Sequence, residues 1–342
     1  MDAELHRLIE SFARSGGNLL VVTGEGVAEE CGVASFRSDA RPFVYRGKSY
    51  DVRTLMTYEL FDQAPDAVWA WHLWRLEEVR RGQPGVVHQA AARAAERLGD
   101  RLRVVTECVD GLHRRCQHPA EGLFEPQGNL FFMRCAEGCT SALYPVPEAL
   151  LGRTANQLLT ASDMALLRCP ACGGPTRPHI LWRDESYDEP FYGVNSVLET
   201  ARRSELLVMA GFSGHTNLAN KVAWEFTHNH RARIVDINPE PNPVAALARR
   251  IGGLAYRESP SGLLPSILEA FVTAVSTVFS IGPAYHCQRG HGVHRAGGRA
   301  RRLLCHQERL ARRGRRQASD PRALQGSGDG GNRLRNEQDE PS

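Results

Sequence analysis

A chain of 342 residues, 42% hydrophobic and 24% charged, has ordinary globular composition and can bury one large core or two smaller ones, which excludes a wholly disordered protein. Its net charge of +3 conceals an asymmetry: residues 286–342 hold thirteen Arg against six Asp or Glu, so residues 1–285 are mildly acidic at −4. No run of about eighteen apolar residues occurs, and MDAELHRLIESF places charges where a signal peptide needs an apolar stretch. The expectation is a cytoplasmic protein with no membrane partner, and in that reducing setting four of the nine cysteines, grouped in two close pairs, suggest metal rather than disulfide.

In chain order, NLLVVTGEGV at 18–27 is an apolar run followed at once by Gly24 and Gly26, the pattern of a buried parallel strand ending in a tight turn. Residues 39–80 mix aromatics with helical periodicity and predict a helical insertion able to lid a crevice. HQAAARAAERL at 88–98 reads as helix. RLRVVTECVD at 101–110, ELLVMAGFSG at 205–214 and ARIVDINPEP at 232–241 read as further strands ending in polar or Gly-rich loops. Strands alternating with helices predict an α/β fold, a Rossmann-like doubly wound parallel sheet with ligands at the carboxyl ends of its strands. Residues 131–182 break the rhythm and predict a small zinc-binding module inserted between 1–130 and 183–282. The Arg- and Gly-rich stretch 283–342 holds too little apolar surface to offset its ordering entropy, and predicts a disordered tail.

Cys135 and Cys139 are separated by three residues, Cys169 and Cys172 by two, and twenty-nine lie between the pairs. Four thiolates from two short knuckles can surround one zinc ion tetrahedrally, and CPACGG supplies the small residues that close a knuckle. With all four positions filled by protein, such a site is structural. A second constellation, Cys287 and Cys305 with nearby histidines, lies among arginines that repel a cation and reads as unstructured basic chain.

Several loops occur in a recognisable order. TGEGVAEECGVASFRSD at 23–39 resembles the sirtuin signature GAGxS followed by GIPDFRS. TECVDGLHRR at 106–115 resembles TQNIDGLH, EPQGNLFFMRC at 125–135 resembles ExHGxxxxxxC, and RPHILWRDE at 177–185 resembles RPxVVWFGE. GFSG at 211–214 resembles the GTS loop and DINPEPNP at 236–243 the INxExTP loop, with the cysteine quartet where the sirtuin zinc module lies. The resemblance covers about residues 15–272. It implies an NAD-dependent protein deacylase with a Rossmann-type domain, a zinc module and an acyl-lysine protein or peptide as substrate.

Gly24, Gly26, Phe36, Arg37, Ser38, Asp110, Gly211, Ser213, Asn238 and Glu240 stand where that family has the same residue, and are the residues expected to hold the cofactor. By resemblance, Gly24 and Gly26 let backbone approach phosphate and Arg37 brings a cationic fork to it. Asp110 is expected to accept from the nicotinamide carboxamide, and Asn238 to hold the adenosine side. The departures cluster near the chemistry. Glu25, in the cofactor-binding loop, replaces an alanine and puts a carboxylate near the pyrophosphate, and Ala28 removes a serine hydroxyl, both expected to weaken NAD binding; Ala34 and Ser35 replace proline and aspartate, Glu107 and Cys108 replace glutamine and asparagine, and Phe212 replaces threonine.

Gln127 stands in place of the catalytic histidine. In the family reaction nicotinamide leaves as the acyl oxygen attacks the ribose C1′, and the histidine later takes a proton from a ribose hydroxyl. An amide accepts no proton near neutral pH, and general-base catalysis contributes typically ~10²–10⁴-fold, so deacylation is expected to be weakened. Alternatives are ADP-ribosyl transfer to protein, which ends at C1′, or an inactive NAD- or acyl-lysine-binding pseudoenzyme. Cys108 is a nucleophile by type, read more simply as a small hydrophobe. On the substrate side, His72 and Arg75 in WAWHLWRLEEV occupy the places where sirtuins preferring acidic acyl groups carry tyrosine and arginine, so Arg75 is a candidate partner for a succinyl-type carboxylate. The basic tail is compatible with salt-dependent nucleic-acid binding, but is read as dispensable.

Overall fold

The computed structural model describes residues 1–35, 42–155, 157–212 and 217–280, with side chains through 277. Phe36, Arg37, Ser38, Ser213 and the tail from 283 onward lie outside the described residues. In chain order the strands are β1 (Leu19–Thr23), β2 (Phe43–Tyr45), β3 (Lys48–Tyr50), β4 (Leu102–Thr106), β5 (Leu123–Phe124), β6 (Gly128–Cys135), β7 (Leu143–Pro145), β8 (Thr176–Ile180), β9 (Leu206–Ala210), β10 (Arg233–Ile237) and β11 (Leu254–Tyr256).

The main sheet runs β11-β10-β9-β1-β4-β5 with every pair parallel. All five residues of β1 and all five of β9 are buried, because helices cover both faces of a parallel sheet. On one face Leu19, Val21, Leu206 and Val208 pack against the helices Ala3–Arg14, Val86–Leu98 and Pro260–Ser280. On the other, Leu20, Val22, Leu207 and Met209 meet the helices Val194–Arg202, Asn217–Glu225 and Pro243–Arg250. The alternation follows from the two-residue period of a strand. This is the doubly wound α/β sheet that the alternating pattern implied.

The chain builds the sheet outward from β1 to β4 and β5, then returns to the other side of β1 with β9, β10 and β11. The direction therefore reverses between β1 and β9, which is where an open α/β sheet forms its ligand crevice. Register places Thr23, Thr106, Ala210 and Ile237 level with one another, so the loops beginning at 24, 107, 211 and 238 share one rim.

A second core lies under a three-stranded antiparallel sheet ordered β7-β6-β8. Against it packs the helix Pro65–Arg81, which buries Trp69, Trp71, Leu73, Leu76 and Val79 among Leu130, Met133, Ile180 and Trp182. The Trp69 indole N–H donates to the Thr176 carbonyl at 2.9 Å. Within the stretch 39–80, where a helical insertion was expected, this helix has buried side chains around its whole circumference and belongs to the second core. No helix among the described residues is long and apolar enough to cross a membrane.

Candidate active site

The rim is held by backbone bonds that prolong the sheet past its strands. Gly24 N–H donates to the Ala210 carbonyl at 2.9 Å, Glu107 N–H to Thr23 at 2.9 Å, and Gly211 N–H to Ile237 at 3.0 Å. The glycines serve these loop contacts. A Cβ on Gly24 would lie 2.4 Å from the Gly211 oxygen and 2.8 Å from Phe212 Cα, and one on Gly26 would lie 3.0 Å from Gly211 Cα. Gly211 has φ +65° and would meet Val27 N at 2.8 Å. What these glycines permit in the structure is the approach of one loop to the other. Asn238 belongs to the same seam: it is buried, and its side-chain amide donates to the Phe212 carbonyl. Glu240 is exposed beyond it.

Glu25, foreign to the sirtuin pattern, accepts from the Ser35 hydroxyl at 2.5 Å. Ser35 stands where that pattern has aspartate, so the carboxylate has moved from one side of this contact to the other. Burial, helped by the charge of Glu25, raises the Glu29 carboxyl above its ordinary range.

Asp110 lies at the turn after β4, 3% exposed. Its Oδ1 accepts from Leu112 N–H at 2.8 Å, while Oδ2 is buried with no hydrogen-bond partner among the described residues. Burial pushes this carboxyl up to about 6, Leu112 N–H opposing and the charge of Glu125 adding to the rise. A buried acceptor without a donor costs free energy until a ligand supplies one, and an amide N–H₂ fits it. Cys108 is raised well above the ordinary thiol range by burial, with the charges of Asp110, Glu107 and Glu25 adding to it. The thiol stays protonated, the opposite of an activated nucleophile. Beneath the rim His113 is fully buried, with Nε2 3.1 Å from the Thr23 hydroxyl, and His88 lies against it with ring centroids 4.6 Å apart.

Gln127 sits half-buried just before Gly128, whose φ of +89° and 2.9 Å bond to the Glu125 carbonyl make the turn into β6. The Gln127 carbonyl accepts from Leu181 N–H at 2.9 Å, which ties the turn to the end of β8. Its side-chain Nε2 donates to Glu107 Oε2 at 3.2 Å and to the Tyr187 hydroxyl at 3.1 Å. Glu107 and Tyr187 were not among the expected site residues. Glu107 was visible as a departure from TQNIDGLH, whereas nothing in the spacing connects position 187 with position 127.

The structure does not bring His72 and Arg75 out to a substrate. His72 is buried, its Nδ1 donating to the Val68 carbonyl at 2.8 Å and its Nε2 accepting from the Trp182 indole at 3.5 Å; burial takes its pKa down to about 3. Both ring nitrogens are engaged, the state of a satisfied core histidine. Arg75 is 1% exposed, pairs with Glu78 and donates to the Ala34 carbonyl at 2.9 Å.

The four cysteines converge. Cys135 ends β6, Cys139 follows in the next turn, and Cys169 and Cys172 precede β8. Their sulfurs all lie within 4.8 Å of one another, with Cys135 and Cys172 at 3.7 Å and Cys139 and Cys169 at 3.6 Å. Tetrahedral zinc with ligands at about 2.3 Å sets its sulfurs about 3.8 Å apart, so the quartet fits one structural zinc ion. Gly174 N–H points at the Cys172 sulfur at 3.4 Å, and Gly173, at φ +74°, turns the knuckle.

The sequence pattern of the Sir2 family matches residues 24–217. Over 226 residues the chain is 32% identical to an NAD-dependent protein deacylase of Aeropyrum pernix, covering 66% of this chain and 82% of that one. Over 253 residues it is 31% identical to an NAD-dependent protein deacylase of Thermus thermophilus, covering 71% and 89%. Among solved structures, a mutant Sir2 homologue in complex with 2′-O-acetyl ADP ribose is 25% identical and superposes with a TM-score of 0.61 over 81% of this chain and 98% of that one. Pattern, identity and fold agree, and the chain belongs to the Sir2 family, the sirtuins.

Proposed function

We propose that this protein is an NAD-dependent protein lysine deacylase of the deacetylase or desuccinylase type, weakened by Gln127. The observation that carries the reading is the buried Oδ2 of Asp110 in the loop after β4, which has no hydrogen-bond partner among the described residues and is an acceptor placed for a carboxamide donor. The larger unit, 1–130 with 183–282, is assigned the dinucleotide, and the module 131–182 the structural zinc. NAD, when bound, supplies the electrophilic ribose carbon C1′. Asp110 orients the carboxamide, the seam of Gly24, Gly26, Gly211 and Asn238 shapes the floor, and Arg37, Phe36, Ser38 and Ser213 are the further assigned contacts. Gln127 orients a hydroxyl through its side-chain oxygen, since both hydrogens of its Nε2 are engaged.

An acidic acyl chain would have to displace Glu78 from Arg75, so the acetyl group is the favoured substrate. ADP-ribosyl transfer to protein is the second reading, favoured by the absence of a base at position 127. The test incubates the protein with NAD and acetylated or succinylated peptide, and follows nicotinamide, deacylated peptide and ADP-ribosylated protein separately. Nicotinamide with deacylated peptide is the expected result. Nicotinamide with labelled protein supports transfer, and NAD binding with neither product makes the chain a pseudoenzyme.

A further inference from the structure

We propose that Glu107 supplies the proton-accepting group that position 127 no longer carries, with Gln127 as its positioning residue. The proposal rests on the deacylase reading. In the sirtuin pattern the positions matching 107 and 127 hold glutamine and histidine; here they hold glutamate and glutamine. The ionisable group has moved from one member of the pair to the other, and the two are in contact, Gln127 Nε2 donating to Glu107 Oε2 at 3.2 Å.

The geometry gives each group one task. Tyr187 accepts the second Nε2 hydrogen at 3.1 Å, so the amide orientation follows from its two acceptors. Gln127 thereby presents an acceptor oxygen to a hydroxyl while holding a carboxylate beside it. The backbone of Glu107 is fixed by its bond to Thr23, directly after β4. In the proposed step the hydroxyl O–H bond breaks and its proton goes to the Glu107 carboxylate. The hydroxyl oxygen bonds to the acyl carbon, whose π pair moves onto the lysine nitrogen. Glu107 then returns the proton to the lysine nitrogen, the C–N bond breaks with its electron pair leaving on the amine, and a solvent water adds to the acyl carbon and gives up its proton through the Glu107 carboxylate to solvent, so no oxidant is required.

The test compares wild type, Glu107→Gln, Glu107→Asp and the double variant Glu107→Gln/Gln127→His. Glu107→Gln is isosteric, keeps an acceptor for Gln127 and restores the sirtuin residue. It is expected to lower formation of deacylated peptide by ~100-fold or more, while nicotinamide exchange continues and calorimetric affinity for ADP-ribose is retained. Glu107→Asp should recover part of the loss, and the double variant, which rebuilds the sirtuin pair, should recover wild-type turnover or better. Unchanged deacylation in Glu107→Gln overturns the proposal, as does a parallel loss of ADP-ribose affinity, which would make Glu107 a binding residue. Wild type that releases nicotinamide without deacylated peptide also overturns it, whereas wild type and double variant that both release no nicotinamide overturn the deacylase reading itself.

Discussion

Asp110 shows how a candidate site residue can work against the stability of its own fold. Its carboxyl is pushed up to about 6 by burial, so the folded chain holds this proton more tightly than the unfolded chain does. Stability is therefore lost as pH rises from about 4 to about 6, and the full penalty, roughly 2–3 kcal/mol at most, stands at neutral pH. Asp110→Asn keeps an acceptor for Leu112 N–H and removes the buried charge. Urea unfolding should show the variant more stable than wild type at pH 7.5, with the difference vanishing near pH 4, while nicotinamide exchange is lost. The identity and place of Asp110 were legible in TECVDGLHRR, because a short loop after a strand keeps its residues together. The partners of Gln127 were not, since Glu107 and Tyr187 reach it from 20 and 60 residues away. The same limit applies to Arg75, whose charge looked available for a substrate until Glu78 and the Ala34 carbonyl appeared beside it.

At the level of elements, the loops after β1 and β9 act as one interlocked piece. Glycines in such loops invite a phosphate-cradling interpretation, but a Cβ at position 24 would collide with backbone of the facing loop at 2.4 Å. Gly24→Ala is thus expected to part the loops, lower the thermal midpoint and abolish the calorimetric signal of ADP-ribose together. A variant with an unchanged midpoint that still fails to bind would return the glycine to a direct role at the ligand. The helix Pro65–Arg81 makes a parallel point. Its aromatic periodicity was plain in the sequence, yet whether those rings covered a crevice or filled a core depended on Leu130, Met133 and Trp182 arriving from residues far along the chain. Each fully buried side chain of that size contributes roughly 1.5–3 kcal/mol, which holds this helix to the smaller sheet.

Across the whole molecule, β6 joins the two centres. It begins at Gly128, beside Gln127, and ends at Cys135 in the thiolate quartet. Zinc binding and folding are coupled in such knuckles. Metal analysis should find one zinc per chain. Chelation should lower the thermal midpoint and expose the amides of Met133, Arg134 and Cys135 to hydrogen exchange before those of β1 and β9. Equal protection with and without metal would detach the quartet from the stability of the strand. A chain ending at residue 282 is expected to keep the full midpoint by calorimetry, because the buried side chains of the sheet's core run through Val275.

By itself the sequence determined what short-range chemistry determines: which runs are strands, where glycines end them, that two cysteine knuckles suit one metal, and that position 127 holds no base. Those properties depend on neighbours a few residues away. Only the tertiary structure decided which charges meet. It paired Glu25 with Ser35 and Glu107 with Gln127, sent His72 and Arg75 inward, and left one oxygen of Asp110 without a donor among the described residues. Electrostatics and packing act through distance in space, and that distance exists only once parallel strands from opposite ends of the chain lie side by side.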